Sequence, residues 1–351
     1  MISLFKPYVN PDLPLLDKIV HSGQLAYGTY AHQFENALAS YLGLDQLIFT
    51  SSFNTAYLIA LKTLNLGVGD EVIASPMCCL ASSQPFAISG IKLIWADVNP
   101  KEGVLDFESV VSKITSKTKA ILHNHFGGYV GHVKEIVDIA KTHGLLVIDD
   151  VSEAFGATYN NRPVGQWGAD ATIYSFQTVR IPNSIDGGGI SFSDSSLYEK
   201  AIRLRDYGID RTCFRDDIGE ISPLCDITEA SYGALPNDVN GYVGLSAIPQ
   251  INRLIAVQRK NANYWNLNIP QGCESLNLVE ETCPNYWVYG VLAENKREFI
   301  QQMRSKGYFA SGVHLPNNLY SLFGKQGELP GVNEFASKFV ALPCGWWMNN
   351  D

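Results

Sequence analysis

The chain has 351 residues, 46% apolar and 17% charged, with a net charge of −9. That balance excludes a disordered chain, and an acidic surface with no basic cluster excludes nucleic acid and anionic lipid as expected partners. The length points to one large and one smaller domain. No stretch reaches the ~18 apolar residues of a membrane span, and the opening residues have no signal-peptide core. Seven cysteines, an odd number without a CxxC pair, suit neither a disulfide scaffold nor a zinc site, so a cytoplasmic location is expected.

Taken in chain order, residues 29–42 place Phe34, Leu38 and Leu42 on one helical face. A strand is predicted over 47–50, a helix over 55–64, a turn at Gly67–Asp70 and a strand over 71–74. Helix 79–89, strand 91–96, helix 107–114, strand 119–123, helix 133–142 and strand 145–149 follow. Strands over 171–176 and 189–193 and a helix over 196–207 complete the pattern. This alternation predicts an α/β domain with a mainly parallel sheet flanked by helices. Residues 208–242, rich in Asp, Gly, Pro and Asn, read as a long ordered excursion plus a domain boundary. The division expected is a large domain over 1–235 and a smaller α+β domain over 236–351. In the latter a helix is predicted over 245–265 with a kink or start at Pro249, a strand over 286–292 and a helix over 296–306. A strand near 308–314 and a final turn at Leu342-Pro343 end it.

The segment 145–194, LLVIDDVSEAFGATYNNRPVGQWGADATIYSFQTVRIPNSIDGGGISFSD, is the most informative. One strand ends at Asp149-Asp150, a second at Ser175-Phe176, and a Gly-rich turn follows at 187–189. In open α/β sheets ligands bind at the carboxyl ends of strands, which is where these acids and Ser175 fall. GLLVIDDVSEAFGA resembles the Glu-Asp-x-Ala-Gln-x-x-Gly-Ala block of the DegT/StrS-type sugar aminotransferases. YSFQTVRIPNSIDGGG resembles that family's Ser-Phe-x-x-x-Lys…Glu-Gly-Gly block. The amino-terminal stretch PYVNPDLPLLDKIVHSGQLAYGTYAHQFENALASYLGL, then GDEVIASP, then GVHLP at 312–316 and Ala341-Leu342-Pro343 fall in the same order. The resemblance covers nearly the whole chain. It implies the type I aminotransferase fold and pyridoxal phosphate (PLP) chemistry on nucleotide-linked sugars.

The resemblance also implies a role for each site position. Asp150 falls where the family pairs a carboxylate with the pyridinium nitrogen. The lysine that bonds the cofactor aldehyde is replaced: five residues on from Ser175 stands Arg180, and no lysine lies between Lys141 and Lys200. A guanidinium, with a pKa above about 12, is not a neutral nucleophile and forms no internal aldimine; it can anchor a phosphate or carboxylate. The family's phosphate-binding Ser-Gly-Thr reads Ser52, Phe53 and Asn54, where phenylalanine adds bulk. Asn54 or Thr55 alternatively caps the following helix. The ring-stacking aromatic reads Leu80, which also suits a core position, and the Gln or His three residues after the Asp reads Glu153. The cross-subunit Asn-x-Arg reads LPNDVNGYVG, with Asn237 a shifted match and no arginine. His314 falls in the substrate-side segment, and the family's final helix is expected to be missing or very short.

Other chemistries find less support. His123 and His125 flank Asn124 without further metal ligands at recognisable spacing. There is no G-x-S-x-G for a hydrolase, and Gly187–Gly189 is not a dinucleotide fingerprint. The expectation is a homologue of nucleotide-sugar or surface-polysaccharide enzymes without an internal aldimine and without competent transamination. No cofactor is expected to be held covalently, with PLP or pyridoxamine phosphate (PMP) left as non-covalent ligands. A lysine-less, dehydratase-like enzyme using bound PMP, or a binding partner, is the alternative. The resemblance further implies a homodimer.

Overall fold

The computed structural model describes residues 1–348. In chain order the strands are β1 (Ile48–Thr50), β2 (Glu71–Ala74), β3 (Lys92–Trp95), β4 (Thr118–Asn124), β5 (Leu146–Asp150), β6 (Thr158–Tyr159) and β7 (Arg162–Pro163). They continue as β8 (Ala171–Ser175), β9 (Gly188–Phe192), β10 (Cys273–Ser275), β11 (Thr282–Cys283), β12 (Tyr289–Ala293) and β13 (Phe339–Leu342). The helices are α1 (Leu16–Val20), α2 (Thr29–Leu42), α3 (Phe53–Thr63), α4 (Leu80–Ile88), α5 (Phe107–Lys113) and α6 (Val133–His143). Then come α7 (Ser196–Arg205), α8 (Asp238–Ala247), α9 (Ile251–Leu267), α10 (Lys296–Ser305) and α11 (Pro330–Lys338).

Seven strands form the central sheet in the order β1-β9-β8-β5-β4-β2-β3. The run from β3 to β8 is parallel, and β9 and β1 add antiparallel pairings at one side. The central strands are apolar on both faces because helices cover both. Successive residues of a strand point to opposite faces, so Val72, Ala120, Leu122 and Ile148 join the cluster under α3 and α4. Ile73, Ile121 and Val147 join the cluster under α2 and α6. Both α2 and α6 stop at a glycine in the left-handed region, Gly43 (φ 66°) and Gly144 (φ 65°), whose N–H groups reach back to helix carbonyls. No helix among the described residues is long and apolar enough to cross a membrane.

Residues 208–236 form the long excursion, pinned by a bridge between Arg215 and Ile221. The helix expected over 245–265 is two helices, α8 and α9, joined by a 3-10 turn at Ile248–Gln250. Pro249 lacks the N–H needed to continue α8 and fits the first turn of the 3-10 segment that leads into α9. α8 packs against α2, and Asp238 Oδ1 accepts from Tyr30 N and Ala31 N at 3.1 and 3.0 Å to cap it. Ile251 and Ile255 of α9 still belong to the cluster under α2. Ala262 and Trp265 further along α9 pack with Tyr289, Val291, Phe299, Val340 and Leu342 around the antiparallel sheet β10-β12-β13.

Two local expectations fail. The strand near 308–314 is not formed: Ser311 exchanges backbone bonds with Ala341 at 3.2 and 2.7 Å, and Val313, at φ 61°, then turns the chain away. The region read only as a turn at Leu342-Pro343 holds β13, a fully buried strand.

Gly188 lies where α3 meets β9: a Cβ there would meet Ser52 O at 2.7 Å, Ala56 Cβ at 2.8 Å and Phe53 Cα at 2.9 Å. Gly188→Val is expected to destabilise the chain by ~1–3 kcal/mol or more through overpacking. A lowered urea midpoint at unchanged slope would show it.

Candidate active site

The carboxyl end of β5 carries both acids, and its register with β4 sets His123 beside Asp149 and Asn124 beside Asp150. Asp149 is wholly buried, with His123 Nδ1 at 2.8 Å and His125 Nε2 at 3.1 Å from its Oδ1. Burial pushes the Asp149 carboxyl up, but the two imidazoles outweigh it and hold it well below the usual carboxylate range. Burial lowers the His123 pKa despite its bond to Asp149. These three side chains lie close enough together to suggest a metal site. However, Gly131 N donates to His125 Nδ1 at 3.0 Å. In the neutral ring the proton must then sit on Nε2, so that nitrogen has no lone pair for a metal. The cluster reads as a buried carboxylate that orients His123, with His125 close by.

Asp150 faces the other side of the sheet and is satisfied from within. Its Oδ2 accepts from Tyr57 Oη at 2.5 Å and Ser82 Oγ at 2.8 Å, and its Oδ1 from Ser152 N at 2.9 Å. Burial and the Asp150 charge raise the Tyr57 phenol well above its ordinary pKa, so it stays a donor. Tyr57 is held in turn by edge-on packing of Phe53 and Phe86, with ring centroids at 5.2 and 5.7 Å.

Arg180 is 5% exposed. Its Nη2 lies 3.4 Å from Glu153 Oε1, and its guanidinium sits 4.1 Å from the centroid of Trp287. Phe5 stacks on Trp287 at 4.5 Å. Of Asp150, Glu153 and Asp186, Glu153 alone pairs with Arg180 among the described residues. Asp150 is taken by Tyr57 and Ser82, and Asp186 Oδ1 accepts from Gly187 N at 2.8 Å. Glu153 also receives His314 Nε2 at 3.2 Å and Gly127 N at 2.8 Å. Burial raises the Glu153 carboxyl, but the His314 bond, the Arg180 charge and Gly127 together hold it below its ordinary value. Glu153 thus draws Arg180 and His314 into one network. Asn285 Nδ2 supports it by donating to the Glu153 backbone oxygen at 2.9 Å.

The remaining positions have local duties. Ser52 is the cap of α3: its Oγ accepts from Thr55 N at 3.2 Å while Thr55 Oγ1 accepts from Ser52 N at 3.1 Å. Phe53 is buried in the core. Asn54 Nδ2 donates to Ala81 O at 3.1 Å and ties α3 to α4. Leu80 begins α4 and is half-buried. Ser175 is buried at the end of β8. Asn237 is exposed and caps α8 by accepting from Asn240 N at 2.8 Å. The sequence reasoning missed Tyr57, Ser82 and Trp287.

The space left beside Asp150, bounded by Cys78, Cys79, Ser82, His125, Ser152 and Glu153, is a cavity of about 10 Å³. That is room for about one water, against roughly 300–1,000 Å³ for a small-molecule site. Tyr57 and Ser82 both donate to Asp150 Oδ2, Oδ1 accepts from Ser152 N, and the side chain facing Glu153 is a guanidinium where covalent pyridoxal chemistry needs an amine.

The fold, a mostly parallel sheet flanked by helices, is shared with solved sugar aminotransferases. The chain matches the DegT/DnrJ/EryC1/StrS aminotransferase family over residues 10–351 and belongs to that family. It is 28% identical to the "Pleiotropic regulatory protein" of Geobacillus stearothermophilus, over 98% of this chain and 92% of that protein. It is 26% identical to the dTDP-4-dehydro-2,3,6-trideoxy-D-glucose 4-aminotransferase of Saccharopolyspora spinosa, over 98% of this chain and 91% of that protein. The crystal structure of the sugar aminotransferase CalS13 from Micromonospora echinospora superimposes with a TM-score of 0.93 at 26% identity, covering 100% of this chain and 96% of that one.

Glu153→Gln would leave Arg180 without its carboxylate, and breaking a buried pair costs ~3–5 kcal/mol. Because the folded pKa of Glu153 is depressed, its contribution is present above the unfolded value near pH ~4.3. It fades as pH falls through the lower folded value. Thermal melts should therefore show a lower Tm for Glu153→Gln at neutral pH, with the gap to wild type narrowing in acid.

Proposed function

We propose that this chain is a non-transaminating member of its family, a protein of nucleotide-sugar metabolism that forms no Schiff base with a cofactor. The observation that carries this reading is the internal satisfaction of Asp150 by Tyr57 and Ser82. An amine in place of Arg180 would not by itself undo it. A guanidinium in place of an amine at 180, with its Nη2 on Glu153 and its face on Trp287, and the small cavity support the same conclusion. As ligand class the reading takes a nucleotide-linked sugar, the class named in the substrate of the Saccharopolyspora spinosa relative.

Incubation with PLP followed by borohydride reduction is expected to leave no cofactor adduct on any cleft residue. An adduct mapped to a lysine that reaches the cleft from elsewhere in the chain would overturn the reading. Arg180→Lys alone is expected to restore no amino transfer to a nucleotide-linked keto-sugar, because Tyr57 and Ser82 still hold Asp150 and the cavity beside it stays small. Measurable turnover by that variant would count against it. PMP-dependent loss of a sugar hydroxyl in the wild type would instead favour the dehydratase-like alternative.

The reading includes a homodimer, with residues near the exposed Asn237 at the interface. Light scattering at micromolar concentration should give twice the chain mass, and monomer mass alone would contradict it.

A further inference from the structure

Among the seven cysteines, Cys78 and Cys344 are buried, while Cys213 is exposed and Cys225 half-buried on the 208–236 excursion. The excursion folds back on itself. Ser222 N donates to Phe214 O at 2.9 Å and Asp216 N to Glu220 O at 2.9 Å, flanking the Arg215–Ile221 bridge. Beyond this hairpin Cys225 N donates to Ser222 O at 3.2 Å, and that turn curls Cys225 back towards Cys213. Both sulfurs then meet one acceptor: Cys213 Sγ lies 3.6 Å and Cys225 Sγ 3.7 Å from the backbone oxygen of Asp210. The neighbouring Cys225 thiol raises the Cys213 pKa. The two thiols share an acceptor, flank an exposed hairpin and do not line the cavity beside Asp150.

We infer that Cys213 and Cys225 are a redox-active dithiol that closes reversibly into a disulfide across the hairpin. This inference is independent of the function proposed above. The oxidant is a low-molecular-weight disulfide such as glutathione disulfide. One cysteine thiolate attacks it, forming a mixed disulfide and releasing one glutathione thiolate. The second cysteine thiolate attacks the mixed disulfide, forming the Cys213–Cys225 bond and releasing the second glutathione. The two protein sulfurs lose two electrons in all, the glutathione disulfide gains them, and the two thiol protons pass to the two glutathiones. In a reducing compartment such a bond is transient rather than structural. When closed, it fixes a hairpin that exposes Ile218, Ile221 and Leu224 to solvent, so the redox state sets how firmly that apolar surface is presented.

The test uses the full chain, reduced, freed of reductant and equilibrated with glutathione buffers of rising disulfide fraction in mildly alkaline solution, then quenched by alkylation. The expected result is loss of two alkylatable thiols per chain. Tryptic digestion after Arg211, Arg215 and Arg253 should then yield a peptide pair, 212–215 joined to 216–253, that separates on reduction. Cys213→Ser and Cys225→Ser should each abolish that pair while keeping the wild-type melting temperature under reducing conditions. Glutathione carried stably on both cysteines, linkage of either to a different cysteine, or full alkylation in excess glutathione disulfide would overturn the inference.

Discussion

Three carboxylates, those of Asp149, Asp150 and Glu153, stand at or just beyond the end of β5 almost out of contact with water. An ionised carboxylate in such surroundings costs several kcal/mol unless it is matched by donors or by an opposite charge. Much of the architecture around the sheet can be understood as that matching. His123 and His125 serve Asp149, Tyr57 and Ser82 serve Asp150, and Arg180, His314 and Gly127 serve Glu153. The donors come from β4 and the loop after it, α3, α4, the loop after β8 and the stretch before α11. The acid cluster therefore ties α3 and α4 to the chain between α10 and α11.

On the function proposed above, the same constraint lets a chain keep the scaffold of this family without space for a ring. A buried carboxylate finds its donors in the protein around it. The phenol of Tyr57, one helical turn beyond Phe53, and the hydroxyl of Ser82 supply them. Arg180 poses the converse problem. It is met partly by Glu153 and partly by the face of Trp287, a desolvated cation–π contact worth about 2 kcal/mol. Neither solution touches the alternation of β2, β4 and β5 between the two core clusters, so the fold is indifferent to the change at its edge.

Much of this was legible in the sequence. The parallel core follows from short apolar strands alternating with helices, and the position of Asp149 and Asp150 follows from the strand they end. That a buried Arg180 needs an acid follows from the cost of a buried charge, but motif order left Asp150, Glu153 and Asp186 open. Tyr57 and Ser82 were not legible, because their role exists only where α3 and α4 cross the same end of the sheet. Alone, each is an unremarkable helix residue. Asp149 completes a cluster with His123 and His125 that local spacing could not reveal, since strand register rather than sequence distance brings them together. The strand Phe339–Leu342 was hidden because a buried apolar run of four residues next to a proline reads equally well as the approach to a turn.

The central claim is that Asp150 is engaged by the protein itself and does not await a pyridinium nitrogen. Equilibrium titration of the wild-type chain with PMP, which binds without any lysine, tests this directly by absorbance and by calorimetry. The account predicts no saturable heat or spectral change into the millimolar range, and the same blank result for Asp150→Asn. Stoichiometric binding at micromolar PMP that weakens strongly in Asp150→Asn would contradict it.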